Sequence, residues 1–122
     1  MGDDSDDFRV VTVTCISQVT EVRVYEETAK HVLDRHPEIS RTFVGIPTFD
    51  AAIDKALTDP TYVGRSHSNS YVFVDEDSTN WAGEPLRIPV KVFANTTSAH
   101  VKTVFFGTSE EGDDLVYKKV ES

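Results

Sequence analysis

The chain has one cysteine, Cys15, among its 122 residues, so no internal disulfide can form. Cys15 lies in a β-like run and reads as a small buried hydrophobe rather than a nucleophile. No run of about 18 apolar residues is present, which excludes a membrane-spanning helix. The first residues, Met1-Gly2-Asp3-Asp4-Ser5-Asp6-Asp7, are acidic and polar, the opposite of a secretory leader. A cytoplasmic protein without membrane attachment is the expectation. No glycine-rich phosphate loop occurs, and no Gly-x-Ser-x-Gly elbow. His31, His36, His67 and His100 form no pair at metal-ligand spacing, so neither a metal nor another cofactor is expected. Lysine and arginine are sparse: Arg65, Arg87, Lys91 and Lys102 are the only ones between Lys55 and Lys118.

What the chain has in excess is acid. Its net charge is −9. Asp3, Asp4, Asp6 and Asp7 carry part of it, and the remainder is acidic as well. Such a field repels nucleic acid except where basic residues gather locally. The abundance of Asp, Glu, Thr and Val beside few lysines also suits a salt-adapted, halophilic proteome. By length the chain is one domain: a disordered acidic segment over 1–7, then a single domain over 8–122.

Hydrophobic periodicity predicts the elements. Phe8–Ile16 and Val19–Tyr25 read as a strand pair. Tyr25–Ile39 reads as a helix with Ala29, Val32, Leu33 and His36 on one face, stopped near His36 by Pro37. His31 is about 140° round that helix from His36, so the two do not share a face. Ser40–Ile46 reads as a connector. A second helix opens at Pro47-Thr48-Phe49, with Phe49, Ala52, Ile53, Ala56 and Leu57 on one face and Thr48 as N-cap. Strands follow at Tyr71–Asp75, Leu86–Phe93 and His100–Phe106, and Leu115–Val120 forms a last strand or tail. Leu86, Ile88, Val90 and Val92 take one face of their strand; Arg87, Pro89, Lys91 and Phe93 take the other. Pro89 lacks a donor and predicts an edge or a bulge there. The layout predicts an α+β fold. Two helices from the N-terminal half pack on one face of a twisted antiparallel sheet of four to six strands. Arg87 and Lys91 point to the other face.

Three stretches, in order, carry a resemblance. They are His31-x4-His36-Pro37-Glu38, then a helix closing on Leu57-x-Asp59-Pro60-x-Tyr62-Val63, then strands ending Val101-Lys102-Thr103-Val104-Phe105-Phe106-Gly107-Thr108-Ser109. Together, over Val22–Ser109, they resemble the phage-associated nuclease-like domains of the barnase–EndoU–colicin–RelE superfamily. The resemblance implies metal-independent RNA cleavage on the helix-free side of the sheet, often by a toxin with a cognate inhibitor protein. It implies catalytic roles for His36 or His31, for Arg65 or Lys91, and for Thr103 or, in its place, Thr108 or Ser109. Arg87, Lys102, Trp81, Thr108 and Ser109 would then contact substrate. The chain departs from the superfamily in being acidic where such nucleases are neutral or basic.

The chemistry asks for the same residue types. Cleavage by the RNA 2′-hydroxyl needs a base and an acid titrating near neutrality, the range of histidine. It needs cations where charge builds on the phosphorane. DNA, without the 2′-hydroxyl, would be spared. The alternative is an inactive domain of the same fold whose acidic surface contacts a basic protein partner.

Overall fold

The structure is a computed structural model and describes residues 7–66, 69–108 and 114–120. The elements run β1 (Phe8–Thr12), β2 (Glu21–Tyr25), α1 (Glu26–Arg35), α2 (Pro37–Thr42) and α3 (Ile46–Thr58). They continue with β3 (Tyr62–Arg65), β4 (Ser70–Thr79), β5 (Pro85–Val92), β6 (Ser98–Val101), β7 (Phe105–Phe106) and β8 (Asp114–Lys118). The fold is α+β as expected, with three helices and eight strands rather than two and four to six. The sheet order is β1-β2-β6-β5-β4-β3-β8, with β7 also on β5. Every pairing is antiparallel except β2 with β6, which is parallel. Among the described residues, no helix is long and apolar enough to cross a membrane.

The expected single histidine helix is two. His36 donates its N–H to the Val32 carbonyl at 2.9 Å and closes α1. Pro37 restarts the helix at its first turn, where a missing N–H costs nothing. The residues expected as a connector thus begin inside α2. The next helix starts earlier than its periodicity suggests. Gly45, at φ +89°, is the N-cap in place of Thr48, because its left-handed backbone turns the chain into Ile46 and Pro47.

Burial alternates with period two along β1, β2 and β6, whereas β4 is buried on both faces from Ser70 to Asp75. Val11, Val22, Val24, Val63, Tyr71, Phe73, Leu86, Ile88, Val90, Ala99 and Val101 join one core cluster with Ala29, Val32, Ile39, Phe49, Ala52, Ile53, Ala56 and Leu57 of the helices. Cross-strand register puts those strand residues on a common face, here the first face. Two ion-pair groups tie α3 to it. Arg9 of β1 bonds Asp54 and lies 3.4 Å from Asp50. Lys55 donates to both oxygens of the fully buried Asp75 at 3.1 Å. The Asp77 N–H and the Ser78 hydroxyl complete that carboxylate's shell at 3.0 Å each.

Pro89 is not on an edge. β5 is an inner strand, between β4 and β6. Its odd-numbered residues turn their backbone groups away from β4, since Val92 N–H bonds Asn69 O in the same ladder. The donor that proline lacks therefore faces Lys102–Val104, where the chain breaks between β6 and β7. Pro89 keeps its carbonyl bond from Lys102 N–H at 2.8 Å. The expected strand His100–Phe106 is split opposite the proline for that reason.

Candidate site on the second face of the sheet

The residues picked from sequence do not gather at one point. His36 is the hinge between α1 and α2: its N–H and carbonyl serve the two helices, and its imidazole makes no capping bond. His31 is exposed on α1. Arg65 ends β3, exposed, opposite Tyr71 and Asp114, so it lies on the first face. Lys91 is exposed on the second face, opposite Ser70 and His100. Thr103, half-buried, and Lys102, exposed, occupy the break between β6 and β7. Thr108 is exposed beyond β7, and Ser109 lies outside the described residues. Trp81 is 92% exposed at the β4–β5 hairpin tip. The neighbouring Asn80 is anchored to Glu38 of α2 at 2.7 Å, which draws that tip toward the helices. Arg87 shares Lys91's strand and face but is only 4% exposed. β7 sets Phe105 directly opposite it.

The second face instead assembles residues that the sequence does not mark. Alternation along β2 sets Glu21, Arg23 and Tyr25 on it, and β6 adds Ser98 and His100. Pairing then aligns one cross-strand row: Val10, Arg23, His100, Lys91, Ser70, from β1 to β4. Neighbouring strands are about 4.8 Å apart, so Arg23 and Lys91 flank His100 with backbones roughly 10 Å apart. Aromatic rings frame the row. The Arg23 guanidinium carbon lies 4.6 Å from the Phe8 ring centre and 5.0 Å from that of Phe93. Its Nη1 donates to the Tyr25 hydroxyl at 3.2 Å. The His100 ring is 5.3 Å from Phe93 and 6.3 Å from Tyr25. Glu21 accepts a hydrogen bond from Ser98 at 2.9 Å, two residues along from His100.

Two features mark this row as unusual. Arg23 and Lys91, two strands apart, both bring cations to this face in a chain of net charge −9. Among the described residues, neither Arg23 nor Lys91 has a carboxylate in ion-pair reach. The Arg23 Nε is buried without an acceptor, a cost of about 1–3 kcal/mol. An anion laid over the row would meet two cations that have no carboxylate partner among the described residues.

The pairing that builds the row was the unreadable step. Arg23 and His100 meet through the parallel β2–β6 contact, across 77 residues of sequence, and no local pattern reports it. The alternation in VTEVRVY was the only available signal, placing Arg23 beside Tyr25 and Glu21. Among the described residues no group of His, Cys, Asp or Glu has metal-binding geometry. In comparisons with known proteins, the chain matches no family model, no curated protein and no solved structure.

Proposed function

We propose that the second face, opposite the one that shares a core cluster with the helices, binds single-stranded RNA and cleaves it as a metal-independent, cytoplasmic endoribonuclease. The observation that carries this reading is the Arg23–His100–Lys91 row inside its aromatic frame. Arg23 and Lys91 hold the scissile phosphate and take up the charge that develops on it. His100, between them, exchanges the proton of the 2′-hydroxyl or of the leaving 5′-oxygen. Glu21, on the same face, is the second group available for proton transfer. Tyr25 offers a ring on which a flanking base stacks. The sequence resemblance to the barnase–EndoU–colicin–RelE domains implies chemistry on the helix-free side of the sheet, which suits this reading. This reading moves the catalytic histidine from His36 to His100.

The test is cleavage of a labelled single-stranded RNA in EDTA by wild type, His100→Ala and His36→Ala. Products with 2′,3′-cyclic phosphate ends, lost in His100→Ala and kept in His36→Ala, are expected. Loss confined to His36→Ala would return the site to the helices. Absence of both cleavage and RNA binding would overturn the reading altogether.

A further inference from the structure

β1 ends the sheet, and its outer edge has no partner among the described residues. The ladder says which groups that edge presents. Glu26 N–H bonds Asp7 O, and Val13 N–H bonds Thr20 O, both at 2.9 Å. The odd-numbered residues of β1 therefore face β2, and Phe8, Val10 and Thr12 turn their N–H and C=O outward. Phe8 and Val10 are 44% and 48% exposed. Exposed edges are ordinarily blunted by charge, proline or a bulge. The opposite edge strand, β8, carries Asp114 and Lys118 and meets β3 through a register shift. β1 has only Arg9, which turns inward and is neutralised by Asp50 and Asp54.

A groove of about 310 Å³ opens beside this edge, between β1, α1 and the start of α3. Its apolar walls are Val24, Ala29 and Ile46, and its carboxylates are Asp7, Glu26 and Asp50. Both of its cations are already in ion pairs, Arg9 with α3 and Lys30 with Glu26 at 3.4 Å. Asp7 has no ion pair among the described residues. Just before it in sequence lie Asp3, Asp4 and Asp6.

We infer that the β1 edge takes an added strand from a basic protein partner. The partner's extended segment would bond to the outward groups of Phe8, Val10 and Thr12. Its side chains facing the first face would enter the groove, a lysine or arginine laying its stem on Ile46 and Ala29 with its charge beside Asp7. Backbone pairing gives such a contact its affinity, and the alternate pocket its specificity. A second copy of this chain fits less well, because pairing two β1 strands brings two acidic starts and two charges of −9 together. The inference does not rest on the RNA reading, although Phe8 and Val10 also border the Arg23–His100–Lys91 row.

The probe is a fluorescein-labelled nine-residue peptide alternating valine and lysine, read by fluorescence anisotropy against the full chain. Binding is expected to fall at least tenfold when alternate backbone amides of the peptide are N-methylated, and likewise when glutamate replaces lysine. Val10→Pro removes an outward donor without touching the β2 ladder, and should weaken binding as much. His100→Ala should not change it. Equal binding of the N-methylated peptide to wild type would overturn the inference, whatever the folding state of the proline variant. So would a wild-type dimer in sedimentation that Val10→Pro converts to monomer, since the edge would then belong to a second copy.

Discussion

Arg9 and Arg23 sit on adjacent strands, on opposite faces of one sheet, and have opposite surroundings. Arg9 faces α3 and is bound by two carboxylates. Arg23 faces away, lies between two phenyl rings, bonds one phenol and leaves Nε without an acceptor. On the first face, the two cations that reach α3 or belong to it are matched within the molecule: Arg9 with Asp50 and Asp54, Lys55 with Asp75 and Asp77. On the second, Arg23, His100 and Lys91 are aligned without that matching. Charges neutralised inside the fold serve the fold. Charges held in register and left unmatched are available to something outside it.

The largest expected effect falls on the second face. His100→Ala should lower RNA cleavage by about 10²–10⁴, the usual worth of a positioned proton donor or acceptor, with no loss of thermal stability beyond a few tenths of a kcal/mol. Single-turnover rates and a urea titration on the same preparation check this. A parallel fall in stability would place His100 among the structural residues and break the contrast between the faces.

The next effect belongs to the first face. Asp75 is fully buried and accepts from Lys55, the Asp77 N–H and the Ser78 hydroxyl. Asp75→Ala strands these donors beside a cavity and should cost about 2–3 kcal/mol, less than a wholly enclosed pair because Lys55 can turn to water. RNA affinity should stay unchanged. A shift in the urea midpoint, with wild-type RNA binding below the midpoint, is the outcome that fits.

The two arginines themselves give the sharpest comparison at smaller amplitude. Arg9→Met removes a half-exposed ion-pair group and should cost 1 kcal/mol or less. Arg23→Met removes a buried unpaired donor and keeps an apolar stem between the rings, so stability should hold or rise. RNA affinity should fall about tenfold in Arg23→Met and not in Arg9→Met. The slope of log K against log salt should drop by about one phosphate contact in the former alone. Equal slopes in both variants would mean that the row does not meet phosphate.

The part of this arrangement that could be read in advance was the part set by neighbouring residues. The alternation Leu86, Ile88, Val90, Val92 against Arg87, Pro89, Lys91 gave the two faces of β5, and Phe49, Ala52, Ile53, Ala56 and Leu57 gave the buried stripe of α3. Pro37 was legible as a stop but not as the start of α2. Pro89 was legible as a lost donor, yet its place could not be inferred, because the neighbouring strand breaks to accommodate it. The site was less legible. Lys91 was readable from alternation, but Arg23 and His100 meet only through a parallel pairing between remote strands. Arg87 reads as an equal of Lys91 along the strand, and only the return of β7 buries it.

The smallest effect is a pH dependence on the first face. Burial pulls the Lys55 amine down, but its hydrogen bonds and charge interactions with Asp75 and Asp77 outweigh this, leaving its pKa above the ordinary 10.5. A raised value means that the folded chain holds this proton more tightly than the unfolded chain does. The stabilisation is therefore complete below the unfolded value and drains away as pH rises through the higher folded one. Lys55→Met removes it at every pH. The gap in urea midpoint between wild type and this variant should be constant from pH 7 to 9 and narrow by pH 11. Because Lys55 is partly exposed, solvent screening keeps the change modest. The subtraction removes the other groups that titrate in that range, so a gap that stays constant to pH 11 would mean that Lys55 holds α3 to the sheet by its stem rather than its charge.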